Sequence, residues 1–271
     1  MTSQKLGTAV VTGASSGIGK TYAERLSRRG YDLVLVARNR ARLEALAAEL
    51  SAASPGCAVD VHVADLGTPA DVAGLAARIS SDPSITLLLN NAGAGTEGPV
   101  IGADIAKIDA MVQLNVVALT QLSVAAVNAF VQLGGGTLIN IASVVALMPE
   151  TLLGAYSATK AYVLALTQSL GNELQDRPVR LQAVLPGLTR TEFFDRSGVD
   201  LTAFPPAMVM EVDELVDAAL AGLDMGETIT IPSLPDAAAW ERLVATRMEM
   251  MPGLSRDHAA PRYGLGTGAD D

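Results

Sequence analysis

Tyr156 and Lys160 stand four residues apart in Tyr156-Ser157-Ala158-Thr159-Lys160, a spacing that puts two side chains on one face of a helix. A phenol with an ordinary pKa of about 10 exchanges protons poorly at neutral pH, and an ammonium beside it stabilises the phenolate and lowers that pKa. The pair is therefore expected to move a proton, with Lys160 supplying the charge. By itself the same spacing also describes a surface pair on a solvated helix. Ser143 favours the chemical reading, because it follows a predicted strand at Thr137–Ala142 while the pair opens the next predicted helix, Ala155–Asp176. A serine hydroxyl held there can hydrogen-bond a carbonyl oxygen as negative charge grows on it during hydride arrival, while Tyr156 delivers the proton.

A hydride needs a carrier. Thr12-Gly13-Ala14-Ser15-Ser16-Gly17-Ile18-Gly19 lies between the first predicted strand and the first predicted helix. Missing side chains there let backbone N–H groups approach a pyrophosphate, and the helix N-terminus faces the anion. The spacing is GxxxGxG rather than GxGxxG, so read alone the segment also fits an ordinary tight turn. The second strand ends at Val36-Ala37-Arg38, where an acid would hold the 2′-hydroxyl of an NAD ribose. Arg38 instead offers a guanidinium fork suited to a 2′-phosphate, with Ser15 as its neighbour, so the expected cofactor is NADP(H). The competing reading makes Arg38 the start of an exposed helical face that also carries Arg40 and Arg42.

The elements that must position these groups follow from periodicity. Predicted strands at Thr8–Thr12, Leu33–Ala37, Ala58–Ala64, Ile85–Leu89, Thr137–Ala142, Val179–Leu185 and Thr228–Ile231 alternate with helical patterns. Those helices cover Gly17–Arg29, Arg40–Ser51, Pro69–Ser80, a long stretch within Ala103–Leu133, Ala155–Asp176 and Val212–Gly222. Nearly all-apolar strands suit a parallel sheet covered on both faces, and ligands in such open sheets sit at the carboxyl ends of the strands. Thr68 is the expected N-cap of the third helix, since Pro69 suits the first helical position. Residues 1–232 are expected to form one dinucleotide-binding catalytic domain. Residues 233–271 are expected to form a C-terminal extension packed on it, with a helix at Ala237–Met250 and mobile last residues.

Composition sets bounds. A chain of 271 residues can bury one sizeable core. A net charge of −10 argues against nucleic acid as a partner, because phosphate contacts need a basic surface. One cysteine, Cys57, and two distant histidines, His62 and His258, give no disulfide framework and no expected metal site. The first residues are too short and polar for a signal segment, so the expected compartment is the cytoplasm. Met111–Leu133 is interrupted by Gln113, Asn115, Gln121 and Asn128, which reads as a buried helix rather than a membrane span.

Taken in order, Thr12–Gly19, Asn90-Asn91-Ala92-Gly93, Asn115, Ser143, Tyr156, Lys160 and Pro186-Gly187 resemble the short-chain dehydrogenase/reductase family, in its single-domain branch, over about Leu6 to Ile231. The resemblance implies an α/β, Rossmann-type, doubly wound parallel seven-stranded sheet with helices on both faces, and a nicotinamide-dependent exchange of carbonyl and alcohol. It implies that Ser143 and Tyr156 meet the substrate carbonyl, that Lys160 meets the nicotinamide ribose, and that Asn115 holds a water linking the lysine to solvent. Asp65 and Leu66 would contact adenine, and Asn91, Ala92 and Gly93 would line the adenosine side. Pro186, Gly187 and Thr189 would lie beside the nicotinamide, and Thr191 by the pyrophosphate. Thr189 stands where the family more often has an apolar residue.

The substrate wall is expected in Ala94–Val100, Val144–Leu153 and Glu192–Met210, with Val145, Leu153 and Phe193 as its contacts beside Ser143 and Tyr156. These segments are largely apolar, which suits an apolar small-molecule ketone, aldehyde or secondary alcohol, although several of their side chains could simply pack the loop. The family also pairs through the helices at Ala103–Leu133 and Ala155–Asp176, which implies a homodimer or homotetramer. Two other readings use the same scaffold: a catalytically silent dinucleotide sensor, and a dehydratase or epimerase.

Overall fold

Seven strands, β1 (Thr8–Thr12), β2 (Asp32–Ala37), β3 (Val59–Val63), β4 (Ile85–Asn90), β5 (Gly136–Ile141), β6 (Val179–Val184) and β7 (Ile229–Thr230), form one sheet in the order β3-β2-β1-β4-β5-β6-β7, every neighbouring pair parallel. The structure is a computed structural model that describes residues 5–95, 99–150 and 154–265. The chain divides into two compact units, one ending at Pro232 and one beginning at Ser233.

The strand order reverses between β1 and β4, whose carboxyl ends open the crevice where such sheets bind ligands. Helices α1 (Gly17–Arg28) and α2 (Arg40–Ala53) cover one face together with α8 (Val212–Met225), and Leu26, Leu43, Leu46, Leu215 and Leu220 pack there on Val11, Leu33 and Leu89. The other face buries Val72, Leu75 and Ile79 of α3 (Pro69–Ser81) with Leu122, Ala126 and Phe130 of α5 (Leu119–Leu133) against Val10, Val34 and Leu88. Side chains alternate along a strand, so apolar runs in β1, β2 and β4 feed both layers at once.

Two expectations need correction. The strand β3 is not an all-apolar run: Val59-Asp60-Val61-His62-Val63 is partly open to solvent along its length, because it forms the sheet edge and pairs only with β2. Thr68 occupies the N-cap position of α3, but its hydroxyl does not cap the helix; it donates to the Asp65 carbonyl at 2.9 Å. Asp71, in the first turn of α3, reaches back instead and accepts from the Asp65 N–H at 2.7 Å. A carboxylate near a helix N-terminus is favoured by the unpaired N–H groups there.

The long central helix comprises α4 (Ile105–Val112), a π-helical stretch at Gln113–Ala118 and α5. By length and composition Ile105–Leu133 could cross a membrane, and 44% of its most apolar window is buried within the protein. Its buried side packs on α3 and the sheet. The next helix, α6, runs from Gly154 to Glu173, and a short one, α7, from Glu192 to Arg196. In the second unit α9 spans Ala237–Glu249 and has no buried residue.

Candidate active site

Helix α6 brings Tyr156 and Lys160 to the carboxyl end of β5, where Ser143 follows the strand. All three side chains are buried, and Tyr156 and Ser143 retain only 9% exposure each. The Ser143 hydroxyl is set toward the Tyr156 phenol and favours its charged form. Ser143 Oγ also lies 3.3 Å from the Pro186 carbonyl, to which it can donate, and accepts from the Val145 N–H at 3.4 Å. Lys160 Nζ donates to the Ile141 carbonyl at 2.8 Å and lies 5.8 Å from the centre of the Tyr156 ring. Burial disfavours charge on both groups. It raises the Tyr156 phenol above its ordinary range, against the opposing Ser143 hydrogen bond, and it lowers Lys160 to about 8. The ammonium-lowered phenol expected from the spacing is therefore not found: Lys160 spends a proton on the β5 carbonyl, and desolvation governs both groups.

Asn115 lies in the π-helical stretch and is 1% exposed. Its Oδ1 accepts from the Ala94 N–H at 2.9 Å, and its Nδ2 donates to the Ala94 carbonyl at 2.8 Å and to Thr159 Oγ1 at 3.1 Å. Both Nδ2 hydrogens are thus committed to protein partners, while Oδ1 keeps a second lone pair. A Cβ built on Gly93 would stand 3.3 Å from Asn115 Oδ1 and 3.7 Å from Lys160 Nζ, so this glycine sits against both groups.

The glycine turn lies at the end of β1. Gly13 and Gly17 hold φ of 66° and 52°, the left-handed region that side chains disfavour. At Gly19 the constraint is space: a Cβ would fall 2.3 Å from the Gly13 carbonyl oxygen and 2.5 Å from Asn91 Nδ2. Such a turn leaves its backbone open at the start of α1 and fits a dinucleotide pyrophosphate. Thr191 packs on it, since a Cβ on Gly17 would lie 3.2 Å from the Thr191 methyl. Thr189 is buried and its segment forms a bridge with Met210, so Pro186–Thr191 runs from Ser143 to the glycine turn. Ile18 packs on the core beneath.

Arg38, at the end of β2, is exposed, and among the described residues its guanidinium has no hydrogen-bond or ion-pair partner. Its neighbours are engaged: Asn39 caps α2 by accepting from the Arg42 N–H, Arg40 pairs with Glu44, and Arg42 with Glu192. Ser15 likewise makes no hydrogen bond among the described residues. Asp65 accepts from the Gly67 N–H at 3.0 Å, beside buried Leu66. Asn91 donates to the Thr12 and Gly13 carbonyls and so closes the crevice between β1 and β4.

Toward the substrate side, Phe193 of α7 lies 5.8 Å from the Tyr156 ring, centre to centre, and meets Phe194 edge-on at 5.5 Å. Val145 is half-buried beside Ser143. Leu153 falls outside the described residues. Met210 is partly buried and packs against the core.

Some supporting residues had no role assigned from sequence. The Thr12 hydroxyl donates to the Leu89 carbonyl and accepts from the Asn91 and Ala92 N–H groups, fastening the glycine turn to β4. Asn90 donates to Asn140 and Ser123, and Asn140 donates to Thr167, all at 3.0 Å and all buried. This network joins β4, β5, α5 and α6 beneath the site. An asparagine in each of two otherwise apolar strands was the available signal, since buried amides must find partners.

The sequence profile described as short chain dehydrogenase matches residues 7–201. An uncharacterised oxidoreductase of Staphylococcus epidermidis is 31% identical over 223 residues, 82% of this chain and 93% of that protein. A very-long-chain 3-oxoacyl-CoA reductase of Bos taurus is 32% identical over 194 residues, 68% of this chain but 60% of its own length. A short-chain dehydrogenase from Sphingobium yanoikuyae solved in complex with NADPH superimposes with a TM-score of 0.91 at 49% identity, covering 95% of this chain and 100% of that one. The bulky-bulky ketone specific alcohol dehydrogenase of Comamonas testosteroni superimposes with a TM-score of 0.88 at 43% identity, covering 97% and 100%. Profile, relatives and the parallel seven-stranded sheet agree that this chain belongs to the short-chain dehydrogenase/reductase family.

Proposed function

We propose that this protein is an NADP(H)-dependent oxidoreductase that interconverts a carbonyl and an alcohol, with Tyr156 as the general acid and base. The observation that carries the reading is the joint burial of Ser143, Tyr156 and Lys160 at the carboxyl end of β5, with a glycine turn fit for a dinucleotide at the end of β1 in the same sheet. The bound cofactor would supply or accept the hydride. Ser143 Oγ holds the substrate oxygen, and Tyr156 Oη gives it a proton as negative charge develops. Lys160 holds the cofactor ribose and keeps a positive charge beside the phenol, and Asn115 holds the water through which the lysine exchanges protons. Gly13, Ser15, Ser16, Gly17, Ile18 and Gly19 cradle the pyrophosphate with Thr191. Asp65, Leu66, Asn91, Ala92 and Gly93 line the adenosine side, and Pro186, Gly187 and Thr189 flank the nicotinamide.

The preference for NADP(H) is supported by the guanidinium of Arg38, which has no partner among the described residues, and by the NADPH found in the Sphingobium relative. Arg38→Ala is expected to weaken NADPH binding by about 10- to 100-fold, the loss of a charge-assisted fork, and to change NADH binding little. Equal losses for both cofactors, measured by fluorescence titration, would refute the assignment.

The substrate is proposed to be an apolar ketone, aldehyde or secondary alcohol. Phe193 and Phe194 beside Tyr156 support this, as does the ketone named for the Comamonas relative. A panel of ketones, aldehydes and alcohols followed by cofactor absorbance tests it: turnover should be greatest for bulky apolar ketones. Binding of NADPH with no carbonyl turned over would overturn the reading.

We also propose a homodimer formed through the outer faces of α4, α5 and α6, where Val112, Val124 and Tyr162 are exposed and Tyr162 is hydrogen-bonded to Thr120 across the two helices. Sedimentation should give twice the chain mass; a monomer at micromolar concentration would refute it. The cytoplasm is the proposed compartment.

A further inference from the structure

We propose that Thr159 is a positioning residue of this site, whose hydroxyl fixes the orientation of the Asn115 amide and so the ground on which Lys160 and Tyr156 stand. The inference rests on the reading of Tyr156 as the acid. Thr159 is 3% exposed and lies directly before Lys160. Its hydroxyl has one proton, and that proton goes to the Tyr156 carbonyl at 2.8 Å. Toward Asn115 it therefore offers only lone pairs. Asn115 must answer with Nδ2, which it does at 3.1 Å, and Oδ1 is thereby turned to the Ala94 N–H. The flipped amide would set its oxygen against the Ala94 carbonyl and its NH2 against the Ala94 N–H, two repulsions at a buried position.

The consequence reaches the reacting groups through Ala94. This residue follows Gly93, which is close to Lys160 Nζ as well as to Asn115 Oδ1. Among the described residues, the Thr159–Asn115 bond is the side-chain hydrogen bond that joins the π-helical stretch to the catalytic helix. A π-helical segment is held less regularly than an α-helix and recurs at functional sites. Without the hydroxyl, one Asn115 N–H is left buried and unpaired, a penalty relieved only by movement of the amide. The small shift this requires falls on Gly93–Ala94 and on Lys160.

The test compares Thr159→Val, which keeps the shape and loses the hydroxyl, with Thr159→Ser, which keeps the hydroxyl. For Thr159→Val, kcat in carbonyl reduction is expected to fall by about tenfold or more, with KM for ketone and for NADPH within about threefold of the parent, as for a group that acts on the transition state alone. Thr159→Ser should restore kcat to near the parent value. In an Asn115→Ala background the Val change should cost little further, because the two side chains act as one unit. Should Thr159→Val fail to fold, Thr159→Ala carries the same expectation, lacking the hydroxyl without adding a methyl contact. Parent-level kcat in Val or Ala, equal losses in Val and Ser, or strict additivity with Asn115→Ala would each overturn the proposal. Tyr156→Phe is run alongside: if it stays active, the reading of the acid has failed; if it is inactive while Thr159→Val matches the parent, only the role of Thr159 has failed.

Discussion

Tyr156→Phe is expected to lower kcat for carbonyl reduction by about 10²- to 10⁴-fold, the range typical of a lost general acid. Cofactor affinity should stay within about threefold, since the phenol acts on the substrate oxygen. The change removes one atom from a buried position. Ser143 keeps the Pro186 carbonyl and the Val145 N–H as partners, so the loss of the Tyr156 hydroxyl leaves no orphaned polar group there. The fold should therefore survive, and the effect should be chemical. Steady-state rates on the best ketone, with a fluorescence titration of NADPH, separate the two. A variant with full activity would mean that another group supplies the proton.

Gly19→Ala is the second large expected effect, and it acts through space rather than chemistry. The added Cβ meets the Gly13 carbonyl oxygen at 2.3 Å and Asn91 Nδ2 at 2.5 Å. Neither can yield freely, because Asn91 is fastened to Thr12 and Gly13, and Gly13 is in the left-handed conformation that makes the turn. The turn must open. Overpacking of this kind costs about 1–3 kcal/mol, and NADPH affinity should drop at least about 100-fold as the cradle loses its shape. Gly74→Ala is the control. Nothing lies within 4 Å of its built Cβ, and it is exposed inside α3, so it should raise stability by about 0.5–1 kcal/mol. Thermal midpoints with and without NADPH check both; a Gly19→Ala protein that is still stabilised by NADPH like its parent would refute the packing argument.

Arg38 and Thr159 occupy opposite ends of what a sequence can reveal. Arg38 is identified by its place after a strand that ends at the crevice proposed to hold the cofactor, a local signal, and the structure adds that among the described residues its guanidinium lacks an ion partner while Arg40 and Arg42 have theirs. Thr159 stood inside the Tyr-to-Lys segment without a role. Its significance comes from Asn115, 44 residues away, and no periodicity announces such a contact.

The alternation of strand and helix, the glycine turn, and the spacing of Ser143, Tyr156 and Lys160 were all legible in the chain, because each depends on neighbours within a few residues or on an apolar rhythm. The edge position of β3 was not, since exposure depends on which strand lies beside it. Nor was the charge state of the central pair. Spacing placed an ammonium near a phenol and implied a lowered pKa, but burial of both groups raises Tyr156 and draws Lys160 down to about 8. Residue types and their intervals therefore determined which groups meet. Tertiary packing decided how dry the meeting place is, and it is the loss of water that sets the proton affinities.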